Sequence, residues 1–196
     1  MIEDNNMDKK RIGFAVCGSF CTFSTALECA EDIKKTGAAL TGILSYATDE
    51  MDTRFMSADA FKHSLLKITG NDLIRTIPEA EPIGPKKLFD LMLVLPATGN
   101  TLAKIAAGIA DTPVTMAVKS HLRNNRPVVL AISTNDALGN NAKNIGTLLN
   151  MKNIYFVPFG QDDPIQKPKS MVFLKEQVVS ALEEAIKGKQ VQPLVV

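Results

Sequence analysis

Residues 91–108, LMLVLPATGNTLAKIAAG, constrain this chain more than any other stretch. Five apolar residues, Leu91 to Leu95, follow one another without alternation, so they read as a strand covered on both faces, inside a parallel sheet with helices on either side. Pro96 lacks the N–H that a central ladder needs, which predicts that the chain leaves the sheet there. Small and polar residues follow, from Ala97 and Thr98 through Gly99 and Asn100 to Thr101. Apolar residues then return at Leu102, Ile105, Ala106 and Ile109, with the spacing of one helical face running to about Ile109. A strand, a polar turn and a helix start in this order predict a ligand site at the carboxyl edge of an open α/β sheet. The first N–H groups of that helix favour an anion, and Gly99 is expected to let a ligand approach the backbone closely.

The pattern recurs along the chain. Strands are expected over 11–17, 39–45, 73–77, 127–132 and 153–158. Helices are expected over 24–35, 49–69 and 170–187, with one beginning at Asp111-Thr112-Pro113 and one ending at Asn150. Residues 160–169, with two prolines, read as a mobile loop. This alternation predicts an α/β fold: a three-layer, Rossmann-like, open and mainly parallel sheet with helices on both faces. All 196 residues are expected in one domain, residues 1–9 forming a flexible arm.

Charge narrows the partners. Lys and Arg number 22 against 21 Asp and Glu, a net charge of +1, which leaves no electrostatic footprint for nucleic acid or an anionic membrane. No apolar run approaches the roughly 18 residues of a membrane span, and the start, MIEDNNMDKKR, is polar, so a cytoplasmic protein is expected. Cys17, Cys21 and Cys29 are odd in number and read as reduced thiols. With His63 and His121 at no ligand spacing, no metal site is expected.

Two further turns resemble the central one. Gly18-Ser19 closes the first strand, and no charged side chain lies between Arg11 and Glu28, so an anion there would be held by backbone N–H groups and hydroxyls. Both GxxxxGK[ST] and GxGxxG are absent, and Ser45 stands where a dinucleotide site would place an acid. An FMN phosphate fits this pattern better than a nucleotide. The later strand runs into Ser133-Thr134-Asn135-Asp136, a second set of hydroxyl and amide groups at the same edge. The cluster of Lys119, His121, Arg123 and Arg126 reads as a solvated helix end, and His63 as a surface residue.

Three pieces, GSF at 18–20, LPATGNTLAKIAAGIAD at 95–111 and AISTN at 131–135, resemble the flavoprotein family of homo-oligomeric flavin-containing cysteine decarboxylases and their relatives. The similarity runs over nearly the whole chain, including IYFVPFG near its end. The resemblance implies an FMN site. It places Gly18, Ser19 and Phe20 at the phosphate and ring, and Ser45 as a hydroxyl after the second strand. Pro96, Ala97, Thr98, Gly99, Asn100 and Thr101 would lie along the flavin, and Ala131, Ser133 and Asn135 stand where the decarboxylases meet a substrate carboxylate. The departures bear on chemistry. The decarboxylases carry a histidine eight residues before the aspartate that here is Asp90, and Pro82 holds that position. Their later methionine and tryptophan are missing too, with Thr134, Leu138 and Gly139 in that region. Decarboxylation of a thiol substrate is therefore not expected, while the flavin cradle is.

The PATGNT and AISTND variants and the closing GKQVQP are similar to family members that serve as one subunit of a sporulation oxidoreductase acting on a small dicarboxylate. That implies a partner subunit carrying NADP, a homo-oligomer (trimer or dodecamer), and a place in the mother cell of a spore-forming bacterium. Asn100 and Asn135 are the candidate catalytic residues, hydrogen-bonding a substrate carboxylate or the flavin edge, since amides donate without titrating. Two other readings stand beside this one. One is a flavin-dependent decarboxylase or a prenyltransferase, whose donor phosphates would need Arg123, Arg126 or Lys169. The other is a non-catalytic subunit that stabilises a dehydrogenase partner.

Overall fold

The structure, a computed structural model, describes residues 7–196. Five strands are parallel: β1 (Arg11–Val16), β2 (Ala39–Leu44), β3 (Leu91–Ala97), β4 (Val128–Thr134) and β5 (Ile154–Phe156). They lie in the order β2-β1-β3-β4-β5, so β1 and β3 are neighbours whose onward connections depart in opposite directions. Two short strands, β6 (Phe159–Gly160) and β7 (Met171–Phe173), add an antiparallel edge, β7 pairing the far end of β4 beyond the reach of β5.

Side chains alternate between two cores, as strand geometry requires. Leu91, Leu93 and Leu95 of β3, with Val129 and Ala131 of β4, face the layer of α1 (Phe23–Lys35), α3 (Ala58–Thr69) and α8 (Val178–Ile186). The opposite face, with Met92, Val94, Val128 and Leu130, is covered by α5 (Gly99–Ala106), α6 (Pro113–Leu122) and α7 (Ala142–Leu149). Two shorter helices, α2 (Tyr46–Glu50) and α4 (Ile77–Ala80), sit on the connections after β2. The expected three layers are present.

Pro96 does not end its strand. Between the pairs Val94↔Leu130 and Ala97↔Ile132 the register slips by one residue, so β3 carries an extra residue at 95–96 and a missing N–H costs no ladder bond there. The helix expected over 49–69 is two helices. Asp52 accepts from the Ala58 N–H at 2.9 Å, and Thr53 Oγ1 accepts from the N–H groups of Phe55 and Met56, side-chain bonds that compete with helix between α2 and α3. The strand expected over 73–77 shrinks to one bridge between Ile74 and Ile43, because the capping box of Thr76 and Glu79 starts α4 instead.

The closing helix is also shorter than the apolar spacing predicts. Its first residues form β7, drawn to the open edge of β4 at Ser133 and Thr134. Beyond Gly188 the chain is pinned to the sheet: the Phe156 N–H donates to Gln190 Oε1 at 2.8 Å, and Gln190 Nε2 donates to Phe156 O at 2.7 Å. The arm expected over 1–9 lies outside the described residues as far as residue 6. From there it is docked, since Met7 is buried and the Lys9 N–H donates to Gly37 O at 3.1 Å.

Candidate functional site

The site follows from the order of the strands. Where adjacent parallel strands send their connections opposite ways, a crevice opens at their carboxyl ends. Here the crevice opens above β1 and β3, at Gly18 and Thr98. Two cavities meet there and share both residues. The larger, about 520 Å³, extends toward Thr22, Ser133, Asn135, Asp162 and Ser170. The smaller, about 370 Å³, extends toward Ser45, Tyr46, Asn100, Thr101 and Lys104. Together they form one two-lobed groove across the ends of β2, β1, β3 and β4. The turns at Gly18, Thr98 and Ser133 therefore converge on one rim.

Hydroxyls draw the turns together. Ser19 Oγ lies 2.9 Å from Ser133 Oγ and 3.0 Å from Thr22 Oγ1, and Thr22 Oγ1 lies 3.0 Å from Ser133 Oγ. Three hydroxyls in mutual contact can each rotate to give or take a proton, so the triangle can turn its protons toward an acceptor in the larger lobe. In the smaller lobe two helices begin side by side. Ser45 caps α2 through the Thr48 N–H at 3.3 Å, and Thr98 caps α5 through the Thr101 N–H at 3.3 Å. Their first-turn N–H groups bring partial positive charge to that lobe. Lys104 adds a full charge, held by both oxygens of Asp111 at 2.9 Å. An anion in this lobe would not be held by backbone and hydroxyl groups alone.

The remaining expected residues are placed differently. Ala131 is fully buried beneath the groove on the α1 side, and Pro96 and Ala97 are buried in β3. Phe20 turns its ring edge-on to Phe23 at 5.5 Å and packs on the core. None of the four lines either lobe. Gly99 is needed for a reason other than ligand approach. A Cβ there would meet Asn141 Nδ2 at 2.4 Å, Thr134 Oγ1 at 2.8 Å and Asp136 Oδ1 at 2.9 Å, so the glycine seats α5 against the chain's own 134–141 segment. Asn135 and Asn100 are both exposed, but they line different lobes and do not converge on one atom of a small ligand.

The structure also shows what holds the Ser133–Asp136 turn, and it brings in Asp162, Lys167 and Ser170, which the sequence reading passed over. Asp136 accepts from Asn141 Nδ2 at 2.9 Å on each oxygen and from Thr134 Oγ1 at 2.8 Å, which consumes much of its accepting capacity. Asp162, Lys167 and Ser170 come from the β6–β7 connection. Burial pushes the Asp162 carboxyl up, but hydrogen bonds from Ser170 and Lys167 outweigh this and hold it below the usual carboxylate range. Their signal in the sequence was the apolar triplet at 171–173 beside an open strand edge, too short to separate strand from helix. Cys17, at the floor of the smaller lobe, accepts from Thr101 Oγ1 at 3.2 Å; burial pushes its thiol up to about 11, so it is an inert core residue at neutral pH. Among the described residues no cluster of His, Cys, Asp and Glu is arranged to hold a metal, and no helix is long and apolar enough to cross a membrane.

Comparisons with known proteins agree with this architecture. The chain is 42% identical over 192 residues to the B subunit of dipicolinate synthase of Bacillus subtilis, covering 98% of this chain and 96% of that protein. The crystal structure of the same B subunit from Bacillus halodurans C superposes with a TM-score of 0.90 at 40% identity, over 97% of this chain and 98% of that one. An FMN-dependent cysteine decarboxylase, SpaF, shares the fold with a TM-score of 0.67 at 20% identity, over 91% of this chain and 98% of the other. A sequence profile of the Flavoprotein family matches residues 1–186, and the chain belongs to that family as a homologue of the dipicolinate synthase B subunit.

Proposed function

We propose that the two-lobed groove binds FMN and that the chain works as the flavin subunit of a dipicolinate synthase, in the oxidation of dihydrodipicolinate to dipicolinate. The single observation that carries the reading is the shared rim at Gly18 and Thr98, which joins a lobe where two helices begin to a wider lobe lined by hydroxyls. Ser45, Thr98 and Thr101, with Lys104, would hold the phosphate at the paired helix starts. Ser19, Thr22 and Ser133 would face the ring. A bound flavin supplies the capacity to accept two electrons as hydride. This chain's own contribution is to orient: the Asn135 amide donates to a substrate carboxylate, while Asn100 belongs with the phosphate lobe and not with the substrate.

The A subunit of the synthase as partner, with NADP as its own cofactor, and a homo-oligomeric assembly of this chain complete the proposal. Of the three cations a prenyl donor would need, only Lys169, next to Ser170 of the larger lobe, lies near the groove. Arg126 is engaged with Asp90 at 3.3 Å before the amino end of β4, and Arg123 follows the end of α6, both away from the carboxyl-edge groove. A second reading, a subunit that supports a dehydrogenase without chemistry of its own, is favoured by one observation. Asp136 and Asp162 both line the larger lobe, where they oppose a dianionic substrate.

Turnover separates the two. Dihydrodipicolinate oxidation is followed with this chain alone, with the partner alone and with both. The first reading expects activity that requires this chain and falls at least about tenfold in kcat/KM on Asn135→Ala, the loss of one charge-assisted hydrogen bond. Unchanged turnover and an unchanged flavin spectrum in both Asn100→Ala and Asn135→Ala would remove these residues from the site. Full activity from the partner alone would favour the second reading.

A further inference from the structure

Ser170 is the most deeply buried hydroxyl of the larger lobe, at 3% exposure against 7% for Thr22, and it sits at the start of the short strand that closes the lobe. Its position is set from three directions. The ladder pairs Ser133 with Val172 and Thr134 with Met171, and one further antiparallel step brings Ser170 opposite Asn135. The Ser170 N–H donates to Lys167 O at 2.9 Å, and the neighbouring Lys169 carbonyl accepts from the Leu138 N–H at 3.0 Å. With its backbone fixed, the side chain reaches Asn135: Ser170 Oγ donates to Asn135 Oδ1 at 3.3 Å.

A hydroxyl carries one proton, and two acceptors lie within its reach. Asp162 is the other, its carboxyl being stabilised in part by Ser170. Lys167 Nζ stands 3.3 Å from Asp162 Oδ2 and gives that carboxylate a second donor, so its charge is not left unmet when the Ser170 proton turns to Asn135. The consequence concerns which end of an exposed amide faces the groove. An asparagine presents an acceptor at one end and two donors at the other, and its unrestrained side chain can turn either way. Once Oδ1 is occupied from the β7 side, the donor end is the one offered to a ligand.

We infer that Ser170 is a positioning residue: it holds the Asn135 amide with its nitrogen toward the larger lobe, and so makes that lobe select a carboxylate over an uncharged carboxamide. The inference rests on the proposed role of Asn135 as the group that meets the substrate carboxylate. It adds a residue that acts through Asn135, on a segment whose sequence reads as part of a helix.

The test is a double-substitution cycle read by calorimetric binding to the full chain. The probes are pyridine-2,6-dicarboxylate and its monoamide, 6-carbamoylpyridine-2-carboxylate. Ser170→Ala is expected to weaken the diacid by about tenfold, the scale of one hydrogen bond, and to narrow the preference for diacid over monoamide. Asn135→Ala is expected to weaken the diacid at least as much. In the Asn135→Ala background Ser170→Ala is expected to add nothing. Ser170→Cys, which keeps the shape with a weaker donor, is expected to fall between, and it serves where the alanine chain does not fold.

Wild-type affinity in Ser170→Ala beside a weakened Asn135→Ala overturns the inference and leaves the reading of Asn135 standing. An equal Ser170→Ala loss with and without Asn135 also overturns it, since the hydroxyl would then act elsewhere. Wild-type affinity in Asn135→Ala, or no binding of the diacid to the unaltered chain, overturns the reading and the inference together.

Discussion

Gly99→Val is expected to lower the stability of this protein by about 2–3 kcal/mol, the range for forcing extra methyl groups into a packed contact. The thermal midpoint should fall by about 5–10 °C for a chain of this length. The reason lies in what already fills the space. The Cβ of any larger residue would stand 2.4 Å from Asn141 Nδ2, which is itself bound to both oxygens of Asp136. Something in that cluster must move, and the 134–136 turn bears Asn135 on the rim of the larger lobe. Ligand affinity should therefore fall together with stability. Gly146→Ala, in the interior of α7 with nothing within 4 Å of the new methyl, should instead stabilise by roughly 0.5–1 kcal/mol. A Gly99→Val chain that melts with the wild type would show that α5 does not need to seat so closely on this segment.

The second large effect is a loss of stability in mild acid that traces to His121. This side chain is 1% exposed at the amino-edge end of α6, and its Nε2 donates to Pro127 O at 3.1 Å, which fixes the neutral tautomer. Burial pulls its pKa down to about 4; the hydrogen bond to Pro127 O works the other way, the nearby charge of Arg126 adds to the depression and Asp90 opposes it. In the unfolded chain the imidazole titrates near its ordinary 6.5. Between these values the unfolded state binds a proton that the folded state does not. The contribution is complete above about pH 6.5 and is lost as pH falls toward 4, by about 3 kcal/mol in all. Urea unfolding across this range should show a steeper fall in the wild type than in His121→Gln, whose amide can still donate to Pro127 O. Parallel curves would mean that the carboxylates alone set the acid limb.

Much of the architecture was legible because it depends on burial. The runs at 91–95 and 127–132 are continuous since both faces of β3 and β4 are covered, and the order of strand, polar turn and helix placed the polar turns at the carboxyl edge of the sheet, where the groove opens. The turns at Gly18-Ser19 and Ser133 were found for the same reason, being small and polar residues directly after buried strands. What escaped the sequence depends on partners far away in the chain. Pro96 looked like a terminator because a bulge is visible only when β4 is set beside β3. Gly99 looked like a ligand contact because nothing nearby in sequence shows that Asn141 and Asp136 fold over it. Ser170 and Asp162 were hidden since β7 is three residues long and gains its identity from the edge of β4. Lys104 lay on the expected helix, but only the neighbouring start of α2 makes its position part of the lobe proposed to hold the phosphate.

The central claim, one groove with an anion lobe and a ring lobe, is tested most directly by titrating the apo chain with FMN and with riboflavin and following the quenching of flavin fluorescence. The account predicts saturable binding of both, with FMN tighter by at least about tenfold through its phosphate. That advantage should shrink selectively in Lys104→Met and Ser45→Ala, while Ser133→Ala weakens both flavins alike. Equal affinity for the two flavins, or an FMN advantage untouched by either change in the smaller lobe, would contradict it.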